Sequence, residues 1–125
     1  MANITLEQLR ALPKAAEISE VVEMPEWGEG VSVRIRALSL TQREEILREG
    51  RVAEGQVDMQ RWNAMVLKAG MADPVLKYDD ALTILELAHE PVQRLINRIW
   101  TLSGMTPEGQ IAKAAVDAAE AQFRE

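Results

Sequence analysis

The residue types that carry out most enzyme chemistry are sparse in this chain. It has one histidine, His89, and no cysteine. A lone histidine near the end of a predicted helix is more often a packing residue than a general base, and no pattern around it supplies a partner. The serines lie outside any nucleophile motif: Ser19, Ser32, Ser39 and Ser103. The sequence therefore predicts a protein that is not an enzyme.

Two pairs of adjacent acids, Glu44–Glu45 and Asp79–Asp80, are the next candidates for chemistry. Neighbouring residues on a helix point about 100° apart, so neither pair forms a carboxylate dyad. Helix capping and solvated faces explain them better. Gly28 and Gly30 lack the further glycine and the lysine of a phosphate-binding loop. We therefore expect no catalytic site, no metal site and no cofactor.

Composition and charge restrict the class of partner. The 125 residues, 47% hydrophobic and 27% charged, are typical of one folded domain. A net charge of −6 without a basic patch disfavours binding to nucleic acid. No apolar stretch approaches the ~20 residues that cross a bilayer, and the N-terminus lacks the pattern of a signal peptide. The absence of cysteine fits a reducing compartment. We expect a cytoplasmic protein that binds neither nucleic acid nor membrane.

The clearest structural signal is a β-hairpin predicted over residues 17–38. From residue 31, apolar and polar residues alternate strictly, which is typical of a half-buried strand. The apolar set is Val31, Val33, Ile35 and Ala37, and the polar set is Ser32, Arg34 and Arg36. Residues 17–24 form the partner strand, and Pro25, Gly28 and Gly30 favour a turn between the strands.

The pairing within this hairpin leads to two further expectations. Arg34 and Arg36 should lie on the solvated face of the sheet, opposite Glu20 or Glu23. Both edges of a two-stranded hairpin are open, and such edges can accept a strand from a partner protein.

Helical spacing of apolar residues predicts the rest of a single domain over residues 1–125. The predicted helices cover 5–12, 40–50, 58–72, 79–90, 91–103 and 106–123. Because proline in a helix interior loses a hydrogen bond, Pro91 should break or kink the helix near Glu90. The predicted fold class is mainly α (α+β), with an N-terminal β-hairpin followed by a small helical bundle.

Short polar residues mark where these helices begin. Thr5 and Gln8 have the spacing of a capping box. Either Ser39 with Gln42 or Thr41 with Glu44 caps the second helix. Asp58 is the expected N-cap of the third helix, and Asp79 or Asp80 that of the fourth.

The three tryptophans are interpreted differently. Trp62 and Trp100 lie on apolar helical faces and are expected in the core. Trp27 lies in the turn of the hairpin, where it either packs back over the hairpin or is exposed as an anchor for a partner protein.

Residues 24–45 resemble those of the tail assembly chaperones of long-tailed bacteriophages and prophages. The likeness is carried by Pro25-Glu26-Trp27-Gly28, Val31-Ser32-Val33-Arg34, Leu38-Ser39 and Gln42-Arg43-Glu44. The layout is also similar, with a short leader, the hairpin, then acidic helices and an end rich in alanine and glutamate.

The resemblance implies a non-enzymatic protein of the host cytoplasm. Such a protein binds the tape measure protein, helps recruit tail tube subunits, and is absent from the mature virion; self-association is left open. The core does not clearly need some residues of the hairpin and the last helix, so we expect them to bind the client. They are Trp27, Arg34, Arg36, Ile111 and Phe123.

Two other functions are compatible with the sequence. One is a structural tail or head–tail component that stays in the virion, which mass spectrometry of purified particles would detect. The other is a small bacterial adaptor or regulatory protein, for which the neighbouring genes would show no connection with a phage.

Overall fold

The computed structural model describes residues 3–51 and 56–104, and the fold given below is that of these residues. They form a mixed α+β structure in which helix predominates, so the predicted fold class is confirmed. The elements in chain order are α1 (Leu6–Arg10), β1 (Ser19–Glu23), β2 (Ser32–Arg36), α2 (Leu40–Gly50), α3 (Met59–Gly70), β3 (Met71–Asp73), α4 (Tyr78–Leu85) and α5 (His89–Leu102).

The strands β1 and β2 form the expected antiparallel hairpin, with Val22 opposite Val33. The turn between them contains one 3₁₀ turn over Pro25–Trp27. It then passes through Gly28 at φ +143° and Gly30 at φ +74°. Residues with a Cβ atom rarely adopt these backbone conformations. The two glycines therefore allow the chain to reverse between the strands.

A third strand corrects the prediction of a two-stranded hairpin with two open edges. β3 pairs antiparallel with β2, which gives the strand order β1-β2-β3. The helix predicted over 58–72 ends at Gly70, and the chain enters β3 without a turn. Three residues are too few to show the period-two pattern of a strand. The predicted helix therefore ran on through Met71 and Ala72, which are apolar like the helix face before them.

The core lies between the inner face of the sheet and the helices. α5 packs against β1 and β2, and α3 contacts α2, α4 and α5. Trp62 and Trp100 are each 1% exposed, which confirms that they lie in the core as predicted. Their ring centroids are 6.0 Å apart and their ring planes meet at 40°. The other large, fully buried side chains are Met24, Ile35, Ile46, Leu47, Leu67, Met71, Leu95, Ile99 and Val66.

The boundary between α4 and α5 differs from the prediction. The break falls at residues 86–88 rather than near Glu90, and α5 begins at His89. Pro91 is therefore in the first turn of α5, where an N–H group has no intrahelical acceptor and its loss costs nothing. The helix predicted over 106–123 lies outside the described residues.

The N-caps are resolved by their hydrogen bonds. Ser39 Oγ accepts from the Gln42 N–H at 3.1 Å, so Ser39 rather than Thr41 caps α2. Asp58 caps α3 as predicted. The N-cap of α4 is Lys77 rather than either aspartate; Asp80 lies three residues later and accepts from the Lys77 N–H at 2.9 Å.

Candidate partner-binding surface

Most of the polar side chains that could have suggested chemistry have structural hydrogen bonds. Ser103 Oγ accepts from the Leu38 N–H at 2.8 Å and donates to the Ile99 carbonyl at 2.7 Å. Ser19 Oγ accepts from Arg34 at 3.3 Å. Within residues 3–51 and 56–104, no group of three or more histidine or acidic side chains could hold a metal ion.

The two strand arginines have different surroundings, and the predicted pairing with Glu20 or Glu23 is wrong. Arg34 lies opposite Val21 on one side and Asp73 on the other, while Arg36 lies opposite Ser19. Arg36 is half-buried and its Nε donates to the Ala69 carbonyl at 2.8 Å. Of the two arginines, Arg34 is the exposed one.

Trp27 is half-buried and packs against the core, so only part of its side chain remains exposed. The turn that carries it is also held by an ion pair. Both carboxylate oxygens of Glu26 accept from Arg94 of α5, one of them at 2.8 Å. The hydrogen bond from Arg94 lowers the pKa of Glu26 to about 2. Glu26 therefore fastens the turn to α5, and Trp27 packs the same turn against the core.

A second ion pair holds the hairpin to the same helix. Arg98 Nη2 lies 2.6 and 2.7 Å from the two carboxylate oxygens of Glu20. Arg94 and Arg98 are four residues apart, so they project from one side of α5. Sequence reasoning missed both pairs; the available signal was this arginine spacing together with the acidic residues of the hairpin.

The three predicted binding residues in the described part of the chain differ in their surroundings. Trp27 packs towards the core, whereas Arg34 is on the exposed face of the sheet. Arg36 is engaged with α3, as described above. Ile111 and Phe123 lie outside the described residues.

An apolar segment that the sequence analysis did not assign to binding precedes the hairpin. No residue of α1 is buried. Leu6 is 61% exposed and Leu9 51%, and the neighbouring Ile4 and Leu12 are about half exposed. The recurrence of leucine every three residues, in a helix too short to form a core of its own, was the signal that could have identified this segment. We call Leu6, Leu9 and Leu12 the N-terminal leucines.

None of the helices in the described part of the chain combines the length and apolar character needed to cross a membrane.

Comparisons of the chain with protein-family models, with curated proteins and with solved structures found no match.

Proposed function

We propose that this chain is a tail assembly chaperone of a long-tailed bacteriophage or prophage. In this function it binds the tape measure protein in the host cytoplasm, helps recruit tail tube subunits and does not remain in the mature virion. Two features support the proposal: the likeness of residues 24–45 to that family, and an apolar surface suited to a long helical client.

The observation that carries the proposal is the exposure of the N-terminal leucines. Leu6, Leu9 and Leu12 recur at helical spacing and none of them is buried. Apolar side chains grouped in this way favour binding to a complementary apolar stripe. In the proposed complex that stripe belongs to the tape measure protein, whose long amphipathic helix would supply the tertiary support that a helix as short as α1 lacks.

The roles of the other predicted binding residues follow from their surroundings. Trp27 and Arg36 support the hairpin, because each contacts the protein's own core or backbone. Arg34 is the exposed one of the three hairpin residues and stays a predicted contact of the client. Ile111 and Phe123 stay predicted contacts in the segment that follows residue 104.

Co-expression with the tape measure protein tests the proposal. The probe is the longest coiled-coil protein encoded beside this gene, scored by its solubility and by pull-down on the tagged chain. Burying a leucine is worth about 1.5–3 kcal/mol, so replacing Leu6 and Leu9 with Gln should weaken capture about tenfold or more. Val75→Gln is the matched control, because Val75 is 81% exposed and lies outside the N-terminal segment.

The outcomes separate the proposal from its rivals. A client that becomes soluble with the parent chain and with Val75→Gln, but not with the Leu6→Gln/Leu9→Gln variant, supports it. A client that stays insoluble while the tail tube protein binds indicates a tube-side partner instead. Detection of the chain in purified virions at structural stoichiometry would favour a component that stays in the particle.

A further inference from the structure

The outer edge of β1 has backbone groups that no strand of the described residues pairs with. The Met24 N–H donates to the Val31 carbonyl at 2.9 Å, and the Ala37 N–H donates to the Ile18 carbonyl at 2.8 Å. These bonds fix which residues of β1 face β2. In an antiparallel ladder, every second residue of an edge strand directs its N–H and C=O groups away from the neighbouring strand. The residues that face this outer edge are Ser19, Val21 and Glu23.

We propose that two copies of the chain pair through this edge, antiparallel, about a twofold axis at Val21. The two three-stranded sheets then form one continuous sheet. Val21 faces Val21 of the second copy, and Ser19 faces Glu23 of the second copy. Each facing pair exchanges both of its N–H···O=C bonds, and the interface is the same patch on both subunits, as twofold symmetry requires.

The side chains on the outer face are compatible with this register. Val21 is 51% exposed, and its counterpart would cover it. Directly opposed side chains in a sheet have Cβ atoms about 4.5–5.5 Å apart, so Glu23 of the second copy lies beside Ser19. Arg34 already points towards Ser19, with Nη1 3.3 Å from its Oγ. The guanidinium of Arg34 is thus in reach of the incoming carboxylate.

The neighbouring registers are disfavoured by charge and by proline. A slip that centres the axis on Glu20 sets two Glu20 carboxylates against each other and Glu17 against Glu23, and opposed like charges destabilise a sheet. A slip that centres it on Val22 places Pro25, which has no N–H, in the ladder opposite Ser19. With the axis at Val21, Glu20 faces Val22 and stays bound to Arg98 of its own subunit.

The first test is the mass of the full-length chain by light scattering. We expect twice the chain mass of 14.0 kDa at concentrations that favour assembly. Val21→Lys puts two ammonium groups face to face and should raise the dissociation constant at least tenfold. Val75→Lys is the matched control at another exposed valine and should stay dimeric. A monomer at every concentration overturns the proposal, as does an equal effect of the two variants.

A cross-linking experiment tests the register. The chain has no cysteine, so Val21→Cys carries a single thiol. Hydrogen-bonded residue pairs have Cα atoms about 5.5 Å apart, so a short bifunctional thiol reagent spans the two cysteines. We expect such a reagent to cross-link Val21→Cys into a dimer far faster than Val75→Cys. Equal rates overturn the proposal, and they would be the result if the edge accepts a strand of another protein.

Charge reversal gives an independent check. Glu23→Arg and Arg34→Glu should each weaken the dimer, and the double variant should regain most of the lost affinity because the pair is restored with opposite polarity. A double variant weaker than both single variants overturns the proposed contact. These tests need no client protein, so they test the dimer independently of the chaperone function.

Discussion

At the scale of single residues, Gly70 at the end of α3 lies so close to the core that there is no room for a side chain. A Cβ added there would lie 2.5 Å from Cγ2 and 2.7 Å from Cδ1 of Ile99, which is fully buried. Alanine favours helix by about 1 kcal/mol over glycine, but overpacking a core costs about 1–3 kcal/mol and more where the neighbour cannot move. We expect Gly70→Ala to lower the free energy of unfolding by about 1–3 kcal/mol, measured by urea denaturation.

A double-variant cycle separates this clash from a backbone effect. Ile99→Ala removes the three atoms that an added Cβ would meet. Gly70→Ala should therefore be much less harmful in the Ile99→Ala background than in the parent chain. An equal loss in both backgrounds would contradict the packing explanation.

The Glu26–Arg94 pair predicts a dependence of stability on pH. The pKa of Glu26 is lowered from 4.5 to about 2 by the hydrogen bond from Arg94. A carboxylate whose pKa is depressed in the folded state contributes stability above pH 4.5, and this contribution is lost as the pH falls from 4.5 towards 2. Glu26→Gln should lower Tm at pH 7, and the difference from the parent chain should shrink below pH 4.5.

A matched control for this titration lies in the same turn. Glu29 is exposed and forms no ion pair with any residue of the described ranges. Glu29→Gln should therefore change Tm at pH 7 less than Glu26→Gln does. A gap between Glu26→Gln and the parent chain that stays constant from pH 7 to pH 2 would count against the ion pair.

At the scale of elements, the start of α2 gives a test of helix capping. Ser39 accepts from the Gln42 N–H, and the Gln42 side chain accepts from the Ser39 N–H at 2.9 Å. Losing such a cap costs about 1 kcal/mol, so Ser39→Ala should lower the free energy of unfolding by about that amount, while Ser39→Asp should retain most of it. Thr41→Ala is the control; a larger loss there would indicate that the helix begins two residues later.

The elements that the sequence predicted well are those with a long pattern or a local cap. The alternation through Val33 and Ile35 identified β2 because its period continues over several residues. Asp58 identified a helix start because a cap is a contact over three residues. Ser39 was one of two candidate caps for α2, and its hydrogen bond with Gln42 selects it. β3 could not be predicted in this way, since its strand character comes from pairing with β2.

The candidate surface was harder to predict than the fold, because it depends on contacts between distant elements. Arg36 was expected to be solvated, but its place beside α3 brings the Ala69 carbonyl within reach. The burial of Trp27 could not be predicted from the sequence, because it depends on α5, whose Arg94 holds the neighbouring Glu26. The N-terminal leucines have the spacing of a buried helix face, and the shortness of their helix was the only further sign that this face has no core of its own.

At the scale of the whole molecule, stability and proposed client binding are assigned to different parts of the chain. The core draws its residues from Met24 onward, and the partly buried residues packed on it begin at Val22. Residues 3–13 contribute no side chain to either set, yet they expose the N-terminal leucines. Removal of the chain up to Pro13 should therefore affect binding without affecting the fold.

A chain that starts at Lys14 makes this separation testable. It keeps the 3₁₀ turn at Ala15–Glu17, in which Glu17 accepts from the Lys14 N–H at 2.8 Å, and it loses α1. Because α1 buries no side chain, we expect the shortened chain to unfold within about 0.5 kcal/mol of the parent chain, the range of neutral surface changes. In the same co-expression assay it should fail to keep the tape measure protein soluble. A loss of more than about 1 kcal/mol would mean that the N-terminal leucines are covered within the protein itself and are not free to bind a client.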